Sequence, residues 1–255
     1  MPKLISPNPK RVVVQKTFDK VASLFRRQMA ELARSAVSPS AAQRDATKAI
    51  ATIETSLKNI LAVTNLPVVG VDEDTPAGAH WLVVPMGSPR NAMYARLPLV
   101  CAVMFVDKDG TCPIGAIMDP TYDVCALAEA GLGMMAPDRL RCATRIDLDG
   151  TLAMLPWKTV DVVETDLLKT LENAGVHTRK SGCTLSDIVD VAAGRADMAI
   201  ATRLTRAEAL LANLMMAECG GFASDLAGKP LGPASTGMVI ANPKLHGKVV
   251  SLLKA

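Results

Sequence analysis

Apolar residues recur at steps of three and four from Thr17 to about Ser35, where Phe18, Val21, Phe25, Met29 and Leu32 share one stripe and Lys20, Arg26 and Arg27 fall elsewhere. This spacing predicts an amphipathic helix. After the break at Ser38-Pro39-Ser40, a second stripe of Ile50, Ile53, Leu57 and Leu61 predicts a helix over 41–61. The pattern then shortens into apolar runs of strand length, among them Trp81-Leu82-Val83-Val84 and Leu99 to Val106, bounded by Pro, Gly and Asp. Asp109-Gly110 separates the runs 99–106 and 113–119 and predicts a hairpin between them. Leu152 to Leu155 reads as one more strand.

Beyond Pro156-Trp157-Lys158 the hairpin pattern gives way to alternation. A strand is expected at 160–163, a helix over about 166–174, and an extended stretch at 175–179. A further helix follows Ser181-Gly182-Cys183-Thr184, carries Leu185, Ile188, Val189 and Ala192, and stops at Gly194. The next, about 206–219, ends at Gly220-Gly221, and Asn242-Pro243 opens the last helix as N-cap and first position. The change of pattern predicts an α+β lobe of two helices on an antiparallel sheet over 1–155, then an α/β lobe over 156–255.

Composition narrows the function. Lys and Arg number 28 and Asp and Glu 25, a near-balance that gives no footprint for nucleic acid. The longest apolar run, 97–106, is about half of what a membrane-spanning helix needs and is interrupted by Pro98. No membrane partner is expected. Residues 1–15 contain no hydrophobic stretch of signal-peptide length, so the expected location is the cytoplasm. The six cysteines form no C-x-x-C pair and no zinc spacing, and read as reduced, mostly buried thiols. His80, His177 and His246 are isolated, so no nucleophilic triad can be argued. Cys183 stands at a helix N-terminus without a base beside it, and reads as an inert small residue.

Several segments carry a resemblance. Trp81-Leu82-Val83-Val84-Pro85-Met86-Gly87-Ser88-Pro89-Arg90-Asn91 resembles the W-hydrophobic-hydrophobic-D-P-hydrophobic-D-G-T-x-N signature of the inositol monophosphatase family. Gly182 to Asp197, with Asp187, Val191-Ala192-Ala193-Gly194-Arg195 and Asp197 in register, is similar to that family's G-S-A-A-L-D-x-x-x-V-A-A-G-R-x-D run. Ala128-Glu129-Ala130-Gly131-Leu132-Gly133 and Glu218-Cys219-Gly220-Gly221 match two more of its motifs. The resemblance extends over most of the chain from Asp45 onward. It implies a layered α-β-α-β-α sandwich, magnesium-dependent hydrolysis of phosphate monoesters in a site between the two lobes, and a homodimer.

The catalytic positions depart from the family pattern. Val84 and Gly87 stand where the signature has its two metal-binding aspartates, and Ser88-Pro89 replace the Gly-Thr that follows. Val71 aligns with the metal-bridging glutamate of the family, with Asp72 next. Glu208 aligns with the third metal-binding aspartate, and Ala201 with an acid that contacts substrate hydroxyls. Asp45 matches the aspartate that orients water through a threonine, but Pro89 occupies the place of that threonine. A magnesium site for in-line attack needs several carboxylates. A degraded metal site is therefore expected, with no cofactor, or magnesium if activity persists. Residual metal contacts would come from Glu208 and Asp72, and the one weak catalytic candidate is Asp45.

Arg90, Arg203 and Arg206 lie near these positions, and a guanidinium can bind a phosphate without an ion. Gly87, Ser88, Arg90, Asn91 and Arg206 are the candidate ligand-binding residues, for a phosphorylated or other anionic small molecule. Glu129 matches a family glutamate outside the metal set and reads as structural. Three functions remain open: a non-catalytic phosphatase-like module, an active phosphomonoesterase with a site rebuilt from Asp45, Asp72, Glu73 and Glu208, and a structural partner of an active homologue.

Overall fold

The computed structural model describes residues 8–35, 38–157, 161–232 and 234–254. Two compact units divide the chain, Met1–Asp138 and Arg139–Ala255.

The first unit opens with helices α1 (Lys10–Ser35) and α2 (Pro39–Leu61). Both follow the predicted stripes; α1 begins at Lys10, earlier than the expected Thr17, and the fully buried Val14 continues its stripe toward the N-terminus. Ser38 caps α2, its Oγ accepting from Ala41 N at 3.3 Å, with Pro39 in the first turn. Then come β1 (Val68–Gly70), β2 (His80–Val84), the short helix α3 (Pro89–Met93), β3 (Cys101–Val106), β4 (Ile114–Asp119), β5 (Val124–Glu129), β6 (Gly133–Ala136) and β7 (Asp138–Arg139). The seven strands lie in chain order; β1 runs parallel to β2, and the pairings from β2 to β6 are antiparallel. Trp81, Val83, Val103, Phe105, Ile114, Ala116 and Met118, alternate positions of three strands, join Phe25, Ile53, Leu57 and Leu61 of the helices in one core. The predicted hairpin is present, with Gly110 at φ +83° between β3 and β4.

The second unit contains β8 (Leu152–Leu155), α4 (Val162–Asn173), β9 (His177–Lys180), α5 (Thr184–Ala192), β10 (Met198–Ala201), α6 (Arg206–Cys219), β11 (Phe222–Ser224), β12 (Met238–Ala241) and α7 (Pro243–Leu253). Its sheet order is β11-β12-β10-β8-β9, with β9, β8 and β10 mutually parallel and β12 and β11 antiparallel. Residues of α4 and α7 pack with Ala153, Leu155, Ile200 and Val239 in a second core. Helices α5 and α6 pack on each other, α5 also on β10 and β12 and α6 on β11 and β12. Asn242 caps α7 as expected, its Oδ1 accepting from Lys244 N and Leu245 N at 3.1 Å.

Two expectations are corrected. The division falls after Asp138, not at 155/156, because β8 pairs with β9 and β10 and so belongs to the second sheet. The strand expected at 160–163 is absent among its described residues: Asp161 is the N-cap of α4 and Val162 and Val163 form its first turn, while Val160 lies outside the described residues. Among the described residues no helix is long and apolar enough to cross a membrane.

Candidate functional site

The parallel strands β1 and β2 end side by side, with Gly70 paired to Val83. Beyond them the chain turns inward. Val84 is 7% exposed, Met86 joins the first core, and Gly87 N donates to Val100 O at 2.7 Å. Ser88 has no exposed surface; it caps α3, its Oγ accepting from Asn91 N at 3.2 Å. Asn91 Nδ2 donates to Pro98 O at 3.1 Å. The turn that in the family signature presents carboxylates is thus built here from apolar packing and local backbone bonds, and Arg90 lies exposed on α3.

The acidic loop after β1 has a partner of its own. Lys58 Nζ, on α2, lies 2.6 Å from Glu73 Oε1 and 2.9 Å from Glu54 Oε1, while Glu73 Oε2 accepts from Gly70 N at 2.7 Å. The hydrogen bond from Lys58 and that from the Gly70 backbone hold the Glu73 carboxyl below its usual range. For Lys58, burial works against the charge, but hydrogen bonds and charge from Glu73 and Glu54 outweigh it and its pKa is raised. Asp72 is exposed beside this cluster, and Asp45 is half-buried on α2. Glu129 is buried and accepts from Asn8 N and, at 3.4 Å, from Arg11 Nη1, the structural role read from its sequence position.

A cavity of about 180 Å³ opens in the second unit, beyond the carboxyl ends of the parallel strands β8 and β10. Open α/β sheets offer their crevices at such strand ends. Two capping boxes frame it. In α4, Asp161 Oδ1 accepts from Glu164 N at 3.0 Å and Glu164 Oε2 accepts from Asp161 N at 3.1 Å. In α6, Thr205 Oγ1 accepts from Glu208 N at 3.3 Å, and Glu208 Oε2 accepts from Thr205 N at 2.7 Å and from Thr205 Oγ1 at 2.9 Å. Each box satisfies donors that the first turn of a helix leaves open, an effect of about 1 kcal/mol.

Both glutamates are buried and both line the cavity, with Thr184, Thr202, Ala201 and Trp157. Thr202 Oγ1 donates to Glu164 Oε1 at 2.5 Å, and Trp157 Nε1 to Ile200 O at 3.1 Å. Arg203 also lines the cavity but is paired with Asp161 at 2.9 Å. Arg206 sits half-buried in the first turn of α6 and is not among the lining residues. The lining is rich in acceptors and hydroxyls and carries two carboxylates against one paired arginine. Glu208 emerges as a cavity-lining residue in a capping box, and Glu164, which the sequence reading overlooked, as its counterpart. The signals for both were present as Asp161-x-x-Glu164 and Thr205-x-x-Glu208. Among the described residues no three His, Cys, Asp or Glu side chains gather in a group suited to a metal ion.

The two sheets and their helices define a protein of the inositol monophosphatase fold. The inositol monophosphatase of Thermotoga maritima superposes with a TM-score of 0.81 at 16% identity, over 94% of this chain and 96% of that one. No family model matches the chain. In sequence it is 28% identical over 178 residues to the Nus factor SuhB of Escherichia coli K12, a match spanning 68% of this chain and 66% of that protein. It is 29% identical over 164 residues to the inositol-1-monophosphatase of Mesorhizobium japonicum, 62% of this chain and 61% of that protein. In sequence the chain is similar to these proteins, and its fold is that of the inositol monophosphatases.

Proposed function

We propose that this chain is an inositol-monophosphatase-like protein that does not hydrolyse phosphate esters with magnesium and serves instead as a binding or interaction module. The carboxylate inventory carries the reading. Val84 and Gly87 offer no side-chain oxygen, Glu73 is held by Lys58, and the Glu208 carboxylate is engaged in a capping box. Magnesium gives up its water reluctantly and needs several oxygen donors to be oriented beside a phosphate. The donors that remain do not fit that requirement, so no catalytic step is assigned to the ion.

The cavity beyond β8 and β10 is the proposed binding site. Its two carboxylates would repel a phosphate, while its threonines and acceptors suit a small neutral molecule bearing several hydroxyls. This shifts the expected ligand away from an anion. The reading includes a cytoplasmic location, which six free cysteines support, and a homodimer. The naming of the Escherichia coli relative as a factor and not as a phosphatase is compatible with a non-catalytic role.

The test is release of inorganic phosphate from inositol phosphates and nucleotide monophosphates with magnesium, manganese or EDTA, the Mesorhizobium enzyme serving as positive control. No turnover from the folded chain supports the proposal. Metal-dependent turnover abolished by Glu208→Gln would show a rebuilt site and overturn it.

A further inference from the structure

Outside the cavity, two thiols distant in sequence meet in the second unit. Cys142, in the irregular segment after β7, donates its backbone N–H to the carbonyl of Cys219, the last residue of α6, at 3.2 Å. Next to it, Arg141 Nη1 donates to Glu218 O at 3.3 Å. A direct backbone bond between two residues keeps their α-carbons at a separation of the kind a disulfide spans, roughly 4.4–6.8 Å. The two thiols also interact electrostatically, each having the other as the first cause of its pKa shift.

The partners are unequal. Cys142 is half-buried and reachable from solvent, whereas Cys219 is fully buried, its Sγ 3.5 Å from Met216 O and 4.0 Å from Met216 Sδ. A reachable thiol beside a sheltered second thiol is the arrangement of redox-sensing cysteine pairs. We propose that Cys142 and Cys219 form a hydroperoxide-sensitive dithiol that closes to an intramolecular disulfide, fastening the segment after β7 to the end of α6.

The chemistry balances with one hydroperoxide. The Cys142 thiolate attacks the terminal peroxide oxygen, the O–O bond breaks, and the alkoxide or hydroxide leaves with a proton from water or buffer. Cys142 becomes a sulfenic acid, having given two electrons to the peroxide. The sulfur of Cys219 then attacks that of Cys142; the S–S bond forms, the S–O bond breaks, and hydroxide departs as water with the proton of the Cys219 thiol. Two molecules of a small thiol such as glutathione return the pair to dithiol, themselves becoming a disulfide.

Electrostatics favours this order. The hydrogen bond from Cys219, then a backbone hydrogen bond and last the charge of Arg141, lower the Cys142 pKa against the opposing effect of burial. The same hydrogen bond, burial and the nearby Cys142 charge raise that of Cys219. Once Cys142 is a sulfenic acid its negative charge is gone, so Cys219 becomes easier to deprotonate at the moment it must attack. Burial pushes the thiols of Cys101, Cys112, Cys125 and Cys183 up, which leaves them poor competitors for peroxide.

The experiment uses the full chain, reduced, desalted and exposed to one equivalent of hydrogen peroxide, then alkylated and digested without reductant. The expected product is a peptide pair joined through Cys142 and Cys219, lighter by two hydrogens and reversed by glutathione. In Cys219→Ala, Cys142 accumulates as a sulfenic acid trapped by dimedone. In Cys142→Ser, at a half-buried site, Cys219 stays reduced at the same dose. Oxidation of native Cys142 to sulfenic or sulfinic acid without the link, a link to another cysteine, no oxidation of either, or unchanged oxidation of Cys219 in Cys142→Ser would each overturn the proposal.

Discussion

Lys58 Nζ and Glu73 Oε1 lie 2.6 Å apart, so an ammonium group pairs with one carboxylate of the acidic loop, two residues beyond Val71, which aligns with the metal-bridging glutamate of the family signature. Because the folded state lowers the Glu73 pKa, its contribution to stability is fully present above the unfolded value near 4.5 and is lost as pH falls through the lowered folded value. Both side chains are about a third exposed or more, which limits the effect to about 1 kcal/mol at most. Lys58→Met is expected to bring the Glu73 titration, followed by NMR, back toward the ordinary carboxylate range and to lower the melting temperature slightly. An unmoved Glu73 titration would mean that the Gly70 N–H alone holds it.

Glu208 offers a cleaner separation of roles. A glutamine can close the same capping box, so Glu208→Gln should stay within about 0.5 kcal/mol of the native chain, whereas Glu208→Ala should lose about 1 kcal/mol. Urea unfolding with and without magnesium measures both. A magnesium-dependent stabilisation that disappears in the glutamine variant would reveal a metal contact and not a cap.

Asp187 is fully buried on α5, with Oδ2 accepting from Ser181 Oγ at 2.7 Å and Oδ1 without a hydrogen-bond partner. Burial, against the Ser181 hydrogen bond, pushes its pKa well above 3.8. Between the unfolded and the raised folded value the native state holds the extra proton, so stability declines as pH rises through that window. Asp187→Asn should remove this slope, and its melting temperature relative to the native chain should climb from pH 4 upward before levelling. A constant difference across that range would contradict the assignment.

Alkylation of Cys142 is expected to depend on pH in the neutral range, because the Cys219 hydrogen bond and Arg141 bring its thiol down to about 7. Iodoacetamide labelling at Cys142, read by mass spectrometry, should be half-maximal near pH 7, with Cys112 labelled slowly throughout. In Cys219→Ala the midpoint should move up toward that of an ordinary thiol.

Local pattern was enough for the elements whose partners are close in sequence. The stripes of Phe18 to Leu32 and Ile50 to Leu61, the Asp109-Gly110 hairpin and the Asn242 cap each follow from residues a few positions apart. The errors came from long-range or competing signals. Leu152 to Leu155 looks the same whichever sheet it joins, and only its pairing with residues 177–180 assigns it to the second. Val162 and Val163 suggested a strand through their β-branching, yet the Asp161-x-x-Glu164 box determines a helix there. The losses at Val84 and Gly87 were legible by alignment. That Met86 and Ser88 fill the vacated turn from within was not, because it depends on what the core accepts.

The strand β9 has a bearing on how copies of this chain meet. It closes one side of the second sheet and carries His177, Arg179 and Lys180, largely in solvent. An unpaired strand edge is a template for another backbone, and cationic side chains along it discourage that templating. Self-association by adding a strand at this edge is thereby disfavoured, as is the runaway stacking that would propagate from it, so copies of the chain have reason to meet elsewhere than along β9.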